Sequence, residues 1–300
     1  MAHSTDARFS TFNNPAGDVI NNYYPSAHET RPSTQPLSSL SFNEAPIGLL
    51  SSHFTGREKE LNHIEQVLSV GCGSTLTRYV VYGMQGMGKT QLALQYAKRS
   101  FDRQEYSLIF WISGATVEKL NQGIAEVLDL ISHPDRNHPE QSTKLTSARR
   151  WLEEPHTTDS IRWLLVLDNV APEVVDFLRH HLPHRNTNGK ILLTTRTRVV
   201  AEAIATVAGQ QHEILELHPP GLQDATNQLL KEAAIDASGS LTASATGAEA
   251  LVTHFGCLPL AISQAASFAK QSFKTFDDLL SLYKGKYKHE VSFNPLNHGL

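Results

Sequence analysis

Apolar residues change their spacing several times along this chain. Over residues 1–46 they follow no period, and stretches such as HETRPSTQPLSSLSFNEAP (28–46) consist largely of Ser, Thr, Asn and Pro. Such a segment buries too little apolar surface to repay the entropy of ordering, so a disordered N-terminal arm is expected. From Thr55 the period becomes helical: Leu61, Ile64 and Leu68 share one face, and Thr55 and Glu58 have the spacing of a capping box. Short β-rich runs then alternate with helical patterns. The runs are RYVVYG (78–83), SLIFWIS (107–113), WLLVLD (163–168), KILLTT (190–195) and HEILEL (212–217). Helical spacing lies between them at 89–99, 116–130, 143–153, 172–180 and 198–205. Five strands separated by helices predict an α/β core, and continuous apolar runs such as WLLVL predict strands covered on both faces of a parallel sheet. After Pro219 and Pro220 the strand signal ends, and helical spacing at 222–233, 244–254, 259–270 and 275–284 predicts a small helical domain. The expected division is therefore an arm at 1–46, an α/β domain at 47–218 and a helical domain at 219–300.

Composition narrows the classes. With 300 residues, 40% hydrophobic and 19% charged, the chain can fill one or two cores. No apolar run reaches the length of a membrane helix and the first ten residues lack a secretory core, so a cytoplasmic protein without a membrane partner is expected. A formal charge of -4 and the lack of a Lys/Arg block argue against nucleic acid as a partner. Cys72 and Cys257 are too few and too far apart for a disulfide framework or a zinc site. His180, His181 and His184 read as a surface helix end, because no carboxylate or cysteine beside them completes a ligand set.

The chemistry begins at GMQGMGKT (83–90), which fits G-x-x-x-x-G-K-[ST] between a predicted strand and a predicted helix. Gly83, Gly86 and Gly88 let the backbone approach a phosphate chain, so that successive N–H groups and the following helix's positive end face its oxygens. Lys89 would neutralise the β- and γ-phosphates, and Thr90 would ligate Mg²⁺. Gln91 is counted with the nucleotide-binding residues. Asp168 ends an apolar strand, where its carboxylate would join Thr90 at the Mg²⁺. Asn169 follows it, and an amide can position a water molecule but cannot take its proton. Hydrolysis is accordingly expected to be slow at most. Arg196, at the end of the next strand, would reach a γ-phosphate.

The stretches FTGRE (54–58), GMQGMGKT (83–90), LLVLDN (164–169), LLTTR (192–196) and GCLPLAI (256–262) occur in the order found in NB-ARC domains of the STAND class of signal-transducing NTPases. The chain is most similar to a fungal NOD-like receptor over residues 47–285, without the family's winged-helix domain and C-terminal repeats. The resemblance implies a doubly wound, five-stranded P-loop domain followed by a helical domain, with ADP or ATP and Mg²⁺ held between them. It further implies that Phe54, Thr55 and Arg57 wrap the adenine. Pro259, with Gly256 and Leu258, would belong to the motif by which the helical domain closes over the nucleotide. The implied function is a nucleotide-dependent switch in signal transduction and innate immunity.

Two other readings compete with the switch. One is a slow Mg²⁺-dependent ATPase using Lys89, Asp168 and Arg196. The other is an assembly protein whose Asn- and aromatic-rich residues 9–24 pair between chains or with a signalling partner.

Overall fold

The computed structural model describes residues 40–69, 76–154, 161–186, 188–207, 210–233, 245–272 and 275–291. All of them lie in one compact unit, Gln35–Leu300. Residues 1–39, including the proposed self-association stretch 9–24, fall outside the described residues, as do Cys72 and His298.

The chain runs β1 (Phe42–Asn43), α1 (Glu58–Ser69), β2 (Thr77–Tyr82), α2 (Lys89–Asp102), β3 (Leu108–Ser113), α3 (Val117–Leu130) and α4 (Gln141–Glu153). It continues through β4 (Trp163–Val170), α5 (Val175–His181), β5 (Gly189–Thr195), α6 (Arg198–Ala205), a small hairpin of β6 (Thr206–Val207) and β7 (Gln210–Gln211), and β8 (Glu213–Glu216). Four helices follow: α7 (Leu222–Glu232), α8 (Ala245–His254), α9 (Pro259–Ser272) and α10 (Phe276–Val291).

The main sheet is parallel throughout, in the order β1-β3-β4-β5-β2-β8. Its five long strands are the five expected runs, and their alternate residues enter two separate cores. Tyr79, Val81, Ile109, Leu164, Val166 and Leu192 pack with Leu61 and Ile64 of α1 and Leu92 of α2. Val80, Phe110, Trp163, Leu165, Leu167, Ile191 and Leu193 pack with Leu120 of α3, Leu145 of α4, Leu178 of α5 and Ile204 of α6. Helices thus cover both faces, which is why these strands read as unbroken apolar runs. The helical part has its own core of Ala225, Leu229, Leu251, Ile262, Ala266 and Phe276.

Two local expectations are corrected. The sheet has a sixth strand, β1, inside the stretch expected to be disordered. Phe42 N–H donates to Ser107 O at 3.0 Å and Glu44 N–H to Ile109 O at 2.9 Å, while the Phe42 ring meets Phe110 edge-on at 5.4 Å. A two-residue strand carries no period, and the sheet edge and one aromatic contact supply the order. The capping box also does not form as expected. Leu61 N–H bonds to Arg57 O, so Arg57 rather than Thr55 caps α1. Gly56 and Arg57 are both left-handed, at φ 71° and 64°. This turn carries Thr55 away from the helix, and its hydroxyl lies 3.5 Å from Lys231 Nζ of α7.

One buried cation predicts a pH dependence. Arg78 on β2 is almost fully buried, and Nη2 donates to Pro183 O at 2.8 Å and lies 3.2 Å from His184 Nδ1. Its backbone N–H points at His212 Nδ1, 3.4 Å away. Burial, then the Arg78 charge, lowers the His212 pKa from 6.5 to about 4. The folded protein therefore refuses a proton that the unfolded chain takes up below pH 6.5. Stability associated with His212 is complete above that value and is lost as the pH falls towards 4. Because the ring is only partly buried, the loss at pH 5 is on the order of 1 kcal/mol. Thermal melts at pH 7 and pH 5 should show a larger drop for the wild type than for His212→Gln, and equal drops would refute the assignment.

Candidate functional site

The phosphate loop joins β2 to α2 at the C-terminal edge of the sheet. Gly83, Gly86 and Gly88 have φ of 156°, 81° and 89°, the last two in the region that glycine tolerates best. Space is as decisive as φ. A Cβ on Gly83 would stand 2.7 Å from Leu217 O, and one on Gly86 3.0 Å from Leu260 Cβ. Gly88 caps α2 without a side-chain acceptor, which leaves the first N–H groups of a 14-residue helix directed at the loop.

Lys89 is buried beneath this loop, and Nζ donates to Gly83 O at 2.7 Å and to Met84 O at 2.8 Å. Burial lowers its pKa, the nearby Arg196 charge acts in the same direction and Asp168 opposes both. Asp168 reaches Thr90 from β4 across the end of β5: Thr90 Oγ1 donates to its two carboxylate oxygens at 3.0 and 3.1 Å. Burial raises the Asp168 pKa, against the hydrogen bonds from Thr194 and Thr90. A hydroxyl and a buried carboxylate converging at this distance form an all-oxygen donor set of the kind Mg²⁺ prefers, so these residues fit that ion.

A further residue completes the cluster. Thr194 Oγ1 of β5 donates to Asp168 Oδ1 at 2.6 Å and accepts the Asn169 backbone N–H at 2.8 Å. Register with β5 breaks between Leu167 and Val170, and Asn169 takes a left-handed conformation with φ 57°. This bulge turns the Asn169 amide towards Arg196, whose Nε donates to its Oδ1 at 3.3 Å. Sequence reasoning assigned Thr194 no role. Its only signal was a hydroxyl at a strand end next to the acidic strand.

The helical part rests directly on the loop. Leu260 N–H donates to Gly86 O at 3.2 Å, and the Leu258 side chain also faces Gly86. Pro259 starts α9, where its missing N–H costs nothing, and its carbonyl lies 3.4 Å from Gln228 Nε2.

Other expected site residues are occupied in ways the motifs did not reveal. Arg57 Nη1 donates to Glu60 Oε1 at 2.8 Å and to His218 O at 2.7 Å, and Nη2 donates to Met87 O at 3.2 Å. Its guanidinium thus ties α1, the connection to the helical part and the phosphate loop together. Gln91 uses both ends of its amide on backbone, accepting Ser51 N–H at 2.8 Å and donating to Leu49 O at 2.9 Å. Phe54 packs at the margin of the α1–α2 core. A cavity of about 690 Å³ lies elsewhere, at the N-terminal edge of the sheet around Glu65, Arg99, Arg103 and Lys190. Arg99 and Arg103 are matched there by Glu58, Glu65 and Glu105, and the cavity contains none of the motif residues.

A parallel sheet with this loop, lysine and strand-end aspartate defines a P-loop nucleotide-binding fold. The NB-ARC domain family matches residues 57–236, more than half of the chain, and the protein belongs to that family. The chain is 28% identical over 253 residues to a "nucleotide-binding leucine-rich repeat (NLR)-like protein" of the fungus Hyaloscypha variabilis. That match takes in 78% of this chain and 24% of the relative, so the chain spans about a quarter of that protein's length. Among solved structures it resembles the Aeropyrum pernix ORC2 protein, determined as ADPNP–ADP complexes, with a TM-score of 0.52 and 14% identity over 86% of this chain and 74% of that one. At that identity the likeness concerns the fold alone.

Among the described residues, no helix is long and apolar enough to cross a membrane.

Proposed function

We propose that this protein is an adenine-nucleotide switch module of an NLR-like receptor, holding ADP or ATP with Mg²⁺ at the phosphate loop and acting in the cytoplasm through protein partners. Lys89 would take the β- and γ-phosphates, Thr90 and Asp168 the Mg²⁺, and Arg196 the γ-phosphate. Gly83, Gly86 and Gly88 would admit the phosphate chain, and Phe54, Thr55, Arg57, Gln91 and Pro259 would frame the nucleoside side. On this reading residues 47–218 form the nucleotide domain and 219–300 the helical domain.

The observation that carries the reading is the hydrogen bond from Leu260 N–H to Gly86 O. A loop that changes shape with the phosphates it holds cannot do so without altering that contact, so the ligand's phosphate count becomes a bias on the helical part. The test is amide hydrogen exchange with ADP and with a non-hydrolysable ATP analogue. Exchange across 258–262 should differ between the two, and identical exchange would remove the switch.

A second reading, a slow ATPase, draws support from the hydrogen-bonded Thr90 and Asp168, whose oxygens would hold Mg²⁺ together. No carboxylate occupies position 169 to accept the proton of an attacking water, so turnover should be far below the ~10 s⁻¹ of a typical enzyme.

A further inference from the structure

We infer that Asn169 is a positioning residue for Arg196 and, through its neutral amide, leaves that guanidinium available to discriminate ATP from ADP. The inference rests on the proposed nucleotide switch and concerns its specificity. Three observations place Asn169 in this role. The bulge between Leu167 and Val170 and the left-handed φ of 57° set its backbone, which Thr194 Oγ1 fixes by accepting its N–H. Its Oδ1 then accepts from Arg196 Nε, which directs the guanidinium over the C-terminal edge of the sheet. Thr194 also bonds Asp168, so the groups proposed for Mg²⁺ and for the γ-phosphate form one chain: Thr90, Asp168, Thr194, Asn169, Arg196.

Residue chemistry decides what that chain can do. Arg196 is exposed, and donating Nε–H to a neutral amide oxygen leaves its terminal nitrogens and its whole positive charge for an incoming phosphate. A carboxylate at this position would instead pair with the guanidinium and neutralise it. It would also add negative charge where a γ-phosphate must come. Asparagine and aspartate both tolerate a left-handed backbone, so exchanging them alters charge with little change in conformation.

The test compares the ratio of the ADP to the ATP-analogue dissociation constant, measured by calorimetry with Mg²⁺ and the non-hydrolysable analogue. Four proteins are needed: wild type, Asn169→Asp, Arg196→Ala and the double variant. The wild type should favour the analogue relative to Arg196→Ala, and Asn169→Asp should reduce the preference on the order of tenfold. In the Arg196→Ala background the Asn169→Asp change should alter the ratio much less, because there is no guanidinium left to neutralise. Asn169→Gly, which keeps the left-handed backbone and removes the amide, serves if the aspartate variant does not fold; it should also reduce the preference. A wild type that discriminates while Asn169→Asp and Asn169→Gly match it overturns the role of Asn169 alone. A wild type equal to Arg196→Ala overturns this inference by removing Arg196 from the discrimination, whereas identical hydrogen exchange across 258–262 with the two nucleotides overturns the switch reading beneath it.

Discussion

Replacing Lys89 by alanine is expected to weaken ADP and ATP-analogue binding by about a hundredfold, while the protein stays folded. The ammonium sits within 2.8 Å of two loop carbonyls, beneath the backbone proposed to receive the phosphates. Removing a buried charge that faces a polyanion costs about 2–5 kcal/mol, and about 2.7 kcal/mol already corresponds to a hundredfold. The fold does not depend on it, since Lys89 donates to carbonyls of its own loop and the cores on both sheet faces remain intact. Calorimetry with each nucleotide, together with a melt showing a cooperative transition, checks both halves. Arg196→Ala provides the contrast, because its loss should weaken the ATP analogue far more than ADP. Undiminished binding by Lys89→Ala would place the nucleotide, if any, elsewhere.

The largest effect on stability is expected at Gly189, well away from the loop. Gly189 pairs in register with Trp163 on β4, and a Cβ built on it would overlap atoms Cζ2 and Cε2 of that ring. Trp163 is fully buried and locked between β3 and β5, so it has no room to turn aside. Glycine to alanine inside a strand is ordinarily neutral or favourable, because glycine loses more backbone entropy on folding. Here the sign reverses. Overpacking of this severity costs about 3 kcal/mol, a fall in Tm of roughly 5 °C for a chain of this size. Gly48→Ala is the control, since a Cβ there meets nothing within 4 Å. Trp163→Phe combined with Gly189→Ala should recover part of the loss, as expected for a coupled pair. Equal melting of Gly189→Ala and wild type would mean that the two strands are paired in a different register.

Both predictions rest on features of different visibility in the amino-acid sequence. The phosphate loop was legible because its spacing is local: eight consecutive residues hold the glycines, lysine and threonine. The five long strands were legible because both sheet faces are covered, which forces continuous apolar runs. β1 was not, since two residues set no period and Phe42 is held by the distant Phe110. The capping box at Thr55 and Glu58 had the right spacing, yet two left-handed residues between them turned the chain aside.

The candidate site divides in the same way. Asp168 and Arg196 were recognisable as polar residues ending apolar strands. Thr194 was hidden by its ordinariness: a strand-end threonine gains its role only when β5 lies beside β4 and brings its hydroxyl to Asp168. The contact of Leu260 with Gly86 joins residues far apart in the chain; GCLPLAI (256–262) implied closure over the nucleotide only through the family resemblance, and no local period named the backbone pair. Arg57 carries the sharpest lesson. Its motif gave no sign that the guanidinium spans Glu60, His218 and Met87 and so braces the loop against the connection to the helical part.

The most direct test of the central claim is to purify the protein without added nucleotide, denature it and identify by chromatography what it releases. Near-stoichiometric ADP or ATP, absent from Lys89→Ala prepared in parallel, is the result this account predicts. A folded protein that releases no adenine nucleotide and takes up none when ADP, ATP and Mg²⁺ are supplied would contradict it.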